Sequence, residues 1–132
     1  MKGETINRGT KMENKQWSDR SILKDYKNTC KNHEHQMETN ELTFFGFPEQ
    51  PDFGHITIDI EPKEKMVDLK SVKKYLLQFR EMGISYERLL NTIFEDFMTI
   101  YEPVNLTIVM KMNPRGGIGS TLRKSTKDKE IE

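Results

Sequence analysis

The stretch Gly54-His-Ile-Thr-Ile-Asp-Ile-Glu61 alternates without a break, with Ile56, Ile58 and Ile60 on one side and His55, Thr57, Asp59 and Glu61 on the other. Successive side chains of an extended backbone leave on opposite faces, so this period of two marks a half-buried strand. The isoleucine face needs an apolar cover, and the residues that follow supply one. After Pro62, Asp68 stands at a helix start ahead of Leu69, Val72, Leu76 and Phe79 at helical spacing, with Met82 and Gly83 closing the segment. Ser85 is placed to cap a second helix whose apolar face is Leu89, Leu90, Ile93, Phe94, Phe97, Met98 and Tyr101, stopped by Pro103. From Val104 to Met112 the alternation returns through Leu106, Ile108, Met110 and Met112. The turn Asn113-Pro-Arg-Gly-Gly117 then leads to a short strand over Ile118 to Leu122. With a first strand around His35 to Phe45, the order ββααββ predicts an α+β unit: a four-stranded antiparallel sheet with two helices packed on one face.

The composition sets limits on what such a unit can do. A chain of 132 residues, 34% hydrophobic and 32% charged, supports one domain with a modest core. Residues 1–38 are polar and read as a flexible arm. Its apolar anchors are Trp17, Ile22, Leu23 and Tyr26, and Asp19 to Tyr26 is expected to dock as a turn of helix. Residues 39–122 form the domain, and 123–132 are a charge-mixed tail. Twenty-one basic residues balance twenty-one acidic ones, so no global field recruits nucleic acid or an anionic membrane. No apolar run reaches membrane-span length and the start, MKGETINRGTKMENK, lacks a secretory core, so a cytoplasmic location is expected. A single cysteine, Cys30, fits a reducing compartment. A sheet this small, with open edges, is expected to be completed by copies of itself, as a homo-oligomeric ring.

Three stretches carry a family resemblance. Gln50-Pro-Asp-Phe53, Lys65-Met-Val-Asp-Leu-Lys-Ser-Val-Lys-Lys-Tyr-Leu77 and Asn113-Pro-Arg-Gly-Gly117 resemble, in order and spacing, the short 7-cyano-7-deazaguanine reductases of the queuosine pathway. These are the QueF family of the tunnelling fold, involved in tRNA modification. The likeness runs from about Glu41 to Ile118. Its most specific part, Asp68-Leu-Lys-Ser-Val-Lys-Lys-Tyr75, departs from the family signature by Asp for Glu at its first position and by Lys at its seventh.

The resemblance implies an NADPH-dependent reduction of a nitrile to an aminomethyl group on a 7-deazaguanine. An aryl nitrile accepts hydride slowly, so the family first attacks it with a cysteine thiolate while an aspartate moves protons. The aspartate matches Asp52. The cysteine position is taken by Gly46, in a loop one residue shorter than the family's, and neither Gly46 nor Phe47 carries a nucleophile. For binding, the resemblance implies Glu87 as acceptor for the two donors of a guanine-type edge, with Tyr86 in place of a family histidine and Asp68 as a second carboxylate. Lys70, Lys73 and Arg115 match positions that resemble contacts to cofactor phosphate, and no dinucleotide glycine fingerprint is present.

Each residue also has a plain structural use. Asp68 can cap a helix, Glu87 suits a helix N-terminus, Lys70 and Lys73 fit a solvated face, and Asp52 can shape a turn. Phe44, Phe45, Phe47 and Phe53 fit a core or an interface better than a stacking box. Cys30 sits in the polar arm beside ordinary lysines, which gives no reason for an activated thiol. Cys30, His33, His35 and His55 form a weak zinc-like pattern. Two functional readings therefore stand: the family's nitrile reduction, or a relative without the nucleophile that binds a deazaguanine or pterin and does not reduce it, or does other chemistry on it.

Overall fold

The computed structural model describes residues 17–46 and 50–128. Residues 1–16 of the polar arm, Phe47 and the last residues of the tail lie outside the described residues. Six strands and two α-helices follow one another: β1 Asp25–Lys27, β2 His35–Phe45, β3 Pro51–Glu61, β4 Lys65–Val67, α1 Leu69–Leu77, α2 Tyr86–Tyr101, β5 Asn105–Arg115 and β6 Ile118–Ser125. A four-stranded antiparallel sheet has the order β2-β3-β5-β6, and β1 pairs with β4 in a separate two-stranded ribbon. The α+β, ββααββ arrangement of a tunnelling-fold unit is therefore present, with the small ribbon added to it.

The alternation read from Gly54 to Glu61 governs the sheet. Ile56, Ile58 and Ile60 are buried, and in register they face Met110, Ile108 and Leu106 of β5. Each such side chain contributes about 1.5–3 kcal/mol by leaving water. β3 begins earlier than the isoleucine run suggests, at Pro51, and the same parity carries Asp52 onto the buried face. β2 contains a bulge: Thr39 pairs with Ile56 but Leu42 pairs with Gly54, so β2 spends an additional residue over that interval. Met37 before the bulge and Leu42 and Phe44 after it are all buried as a result.

The helices cover this face. Ser85 caps α2 by accepting a hydrogen bond from the Arg88 backbone N–H, and Leu89, Ile93, Phe97 and Tyr101 are fully buried. α1 differs from expectation in two ways. It ends at Leu77, and the chain continues in tight turns as Phe79 and Arg80 donate to the Leu76 and Leu77 carbonyls. Its buried side is Val72, Tyr75 and, beyond its end, Phe79, whereas Leu69 is 57% exposed. Asp68 stands at the N-cap position without a side-chain capping bond.

The polar arm is built into the fold from Trp17 onward. Asp19 caps a 3-10 turn at Arg20–Ile22, Leu23 is buried, and β1 follows. Asp96 of α2 is the anchor, buried and accepting from Arg20 Nε at 2.8 Å, from Tyr75 Oη at 2.5 Å and from the Ser18 hydroxyl. Burial, then the Asp96 charge, pushes the Tyr75 phenol well above its usual range. At the other end β6 runs past Leu122 to Ser125. Among the described residues no helix is long and apolar enough to cross a membrane.

Candidate functional site

The end of β2, the start of β3 and the start of α2 meet at one corner of the molecule. The cause is local hydrogen bonding: the Phe45 N–H donates to the Met82 carbonyl and the Ile84 N–H donates to the Phe45 carbonyl. These bonds dock the segment between the helices against β2, so Tyr86, the first residue of α2, arrives beside Gly46 and Asp52. Asp52 is 4% exposed. Its Oδ2 accepts from the Gly46 N–H at 2.9 Å, and its Oδ1 accepts from Tyr86 Oη at 3.1 Å and from Arg115 Nη1 at 2.5 Å. Arg115 also donates to the Gln50 side chain. Phe44 meets the Tyr86 ring edge to face, with centroids 5.6 Å apart.

Arg115 reaches this corner because β5 and β6 join through Gly116 and Gly117, whose φ values of 60° and 82° make a two-residue hairpin. Burial first, then the hydrogen bond to Asp52 and the Asp52 charge, raises the Tyr86 phenol above its ordinary range; Arg115 works the other way. The phenol is thus held as a donor toward the carboxylate. Glu87, next in the first turn of α2, is exposed, as a carboxylate at a helix N-terminus is favoured to be.

The other sequence-derived residues lie elsewhere in the chain. Asp68 donates its backbone N–H to the Lys24 carbonyl, which also accepts from Tyr101 Oη. Tyr101 ends the helix that Tyr86 begins, and a helix of 16 residues is about 24 Å long. Lys70 and Lys73 are exposed on α1, and Lys73 borders a cleft of about 290 Å³ against Met37, Ile56 and Val72. Within one chain these two lysines do not converge with Arg115 on a common phosphate site. Cys30 is exposed in the segment after β1, where Asn28 binds the Lys63 and Glu64 carbonyls. That is beyond the far end of β3 from Asp52, roughly 30 Å along the strand. The histidines separate as well: His33 Nδ1 meets the Cys30 carbonyl, while His55 lies between Glu38 and Asn40 on the outer sheet face. No group of three or more His, Cys, Asp or Glu side chains among the described residues is placed to share a metal ion.

Two contacts of the corner have no mark of their own in the sequence. Gln50 enters it only as part of a motif, yet it helps Asp52 hold Arg115. Tyr86, expected to meet a ligand, also donates its hydroxyl to Asp52. The signal for both is the parity of β3, which already puts Asp52 on the helix-covered face.

Comparison with known proteins gives the family. The family model described as QueF-like protein matches residues 51–131. A protein of Chlorobium chlorochromatii, named NADPH-dependent 7-cyano-7-deazaguanine reductase, is 34% identical over 104 residues, covering 76% of this chain and 90% of that protein. One of the same name from Chlorobaculum parvum is 35% identical over 109 residues, covering 80% and 94%. A third, from Pelodictyon phaeoclathratiforme, is 43% identical over 72 residues; that match covers 54% of this chain and 62% of the relative. The chain belongs to the QueF-like family.

Proposed function

We propose that the chain binds a 7-deazaguanine-type base, or a pterin of the same edge chemistry, without forming the covalent thioimide on which the family's nitrile reduction depends. One observation carries this reading: the corner that gathers Asp52, Tyr86 and Arg115 does so around a glycine, and the chain's one thiol, Cys30, lies beyond the other end of β3. Loss of the nucleophile costs a covalent enzyme several powers of ten in rate. Recognition survives such a loss, because it depends on acceptors. Glu87 supplies two carboxylate oxygens to the ring N–H and exocyclic amine of an aminopyrimidinone edge, a charge-assisted pair of bonds. It stands on the same helical turn as Tyr86.

NADPH belongs to the same reading as a second ligand that the relatives' names attach to those proteins. Lys70, Lys73 and Arg115 fit its phosphates in charge, but within a single chain they do not form one site. A ring of subunits would bring α1 of one copy toward the Asp52 corner of the next. Complementary charge supports that arrangement: the outer strand β2 carries Glu38 and Glu41, and the opposite outer strand β6 carries Arg123 and Lys124.

Calorimetric titration with 7-cyano-7-deazaguanine, alongside NADPH oxidation in the same preparation, tests the proposal. Saturable binding without turnover is expected, with Glu87→Gln weakening it by roughly 10- to 100-fold, the equivalent of a hydrogen bond to a charged group. Steady nitrile-dependent NADPH consumption would overturn it, and so would an absence of binding.

A further inference from the structure

Gly46 is a glycine for want of space. Among the described glycines only Gly116 and Gly117 adopt positive φ, so the backbone at 46 is one that any L residue accepts. A Cβ built there meets Asp52 first: it overlaps Oδ2 and stands 3.2 Å from Cγ, with Tyr86 Cε1 at 3.0 Å. An exposed flexible side chain would simply swing aside. Asp52 is short, buried, and held by donors from three separate segments, the Gly46 backbone, Tyr86 on α2 and Arg115 on the β5–β6 hairpin. Moving it breaks those bonds together.

We infer that Gly46 and Asp52 are a matched pair, in which the carboxylate occupies the volume of a side chain at position 46 and Tyr86 and Arg115 fix it there. Asp52 thereby puts a stationary hydrogen-bond acceptor where a side chain at 46 would stand. The family resemblance pairs a cysteine with this aspartate; here the connection between positions 46 and 52 is one residue shorter, and a side chain at 46 overlaps the carboxylate, so a thiol at 46 gains room only when the carboxylate moves or is removed. The pair stands on geometry alone, and only its chemical meaning rests on the base site proposed above.

Two measurements decide it. In a stability cycle, Gly46→Ala is expected to lower Tm by roughly 4–12 °C, as over-packing by a methyl group does. In an Asp52→Ala background the same change should cost no more than a few degrees. Equal costs in both backgrounds, or no cost in either, would overturn the pair. The second measurement is intact mass after incubation with 7-cyano-7-deazaguanine. There a thiolate sulfur would bond to the nitrile carbon, one C–N π bond would open, and the nitrogen would take a proton from water. The adduct is expected at least tenfold faster in Gly46→Cys/Asp52→Ala than in Gly46→Cys alone. Complete labelling of the single variant at the double variant's rate would also overturn the inference. If neither variant is labelled while the stability cycle shows coupling, the pair stands, and the calorimetric titration decides the base-binding reading on its own.

Discussion

Asp52 shows how much a single side chain can be decided by strand parity. Two positions before Gly54 on β3, it follows the isoleucines inward, and the corner then supplies the donors that a buried carboxylate needs. Tyr86→Phe removes one donor and keeps the ring against Phe44, so a loss of about 0.5–1.5 kcal/mol is expected in urea denaturation. Buried tyrosines also tie stability to alkaline pH. Burial foremost pushes the Tyr101 phenol up to about 12, against about 10 in an unfolded chain. The folded state keeps a proton that the unfolded state releases, so this contribution is intact below about pH 10 and is lost as pH rises through about 12. Unfolding free energies measured across that window should fall, and Tyr101→Phe should make the fall shallower.

At the level of elements, Asp96 joins three of them: α2, on which it sits, α1 through Tyr75, and the 3-10 turn through Arg20. Asp96→Ala leaves the Tyr75 hydroxyl buried without its acceptor, and a loss of about 2–4 kcal/mol is expected in a denaturant titration. Arg20→Ala should cost less, because that side chain is 35% exposed and water can serve Asp96 in its place. This junction explains what is legible in the sequence. Strand and helix periods are local, so β2, β3, α2 and β5 can be read from Ile56, Ile93 and Ile108 and their neighbours. The segment after Trp17 has no period, since its attachment is polar and long-range; Ser18 and Asp96 are far apart in the chain, and nothing local marks either as buried. The apolar spacing overextends α1 for a related reason: Phe79 is fully buried and keeps helical spacing, but it does so from a turn.

Among the described residues the four-stranded sheet leaves its two edges, β2 and β6, unpaired, and these are where the proposed ring must close. If acidic β2 meets basic β6 of another copy, light scattering should find an oligomer at low salt. Glu38→Lys/Glu41→Lys should shift it toward monomer, and adding Arg123→Glu/Lys124→Glu to the same chain should restore it. An oligomer indifferent to these exchanges would place the interface elsewhere. The candidate site is legible only in outline at this scale, because Asp52, Tyr86 and Arg115 come together in one chain, while Asp68, Lys70 and Lys73 lie elsewhere in it and would join the site only in the proposed ring.

The irregularity between Thr39 and Leu42 acts as a phase shifter for everything downstream in β2. Upstream of it, odd-numbered residues such as Met37 face the helices; downstream, even-numbered ones do, through Leu42 and Phe44 to Gly46. Regular pairing through Asn40 and Glu41, with both residues kept and no bulge, would exchange the two sets. Leu42 and Phe44 would turn toward solvent, and Phe45 would confront the Asp52 carboxylate in place of Gly46. The length of a bulge, far from any reacting group, therefore determines which residue the aspartate sees.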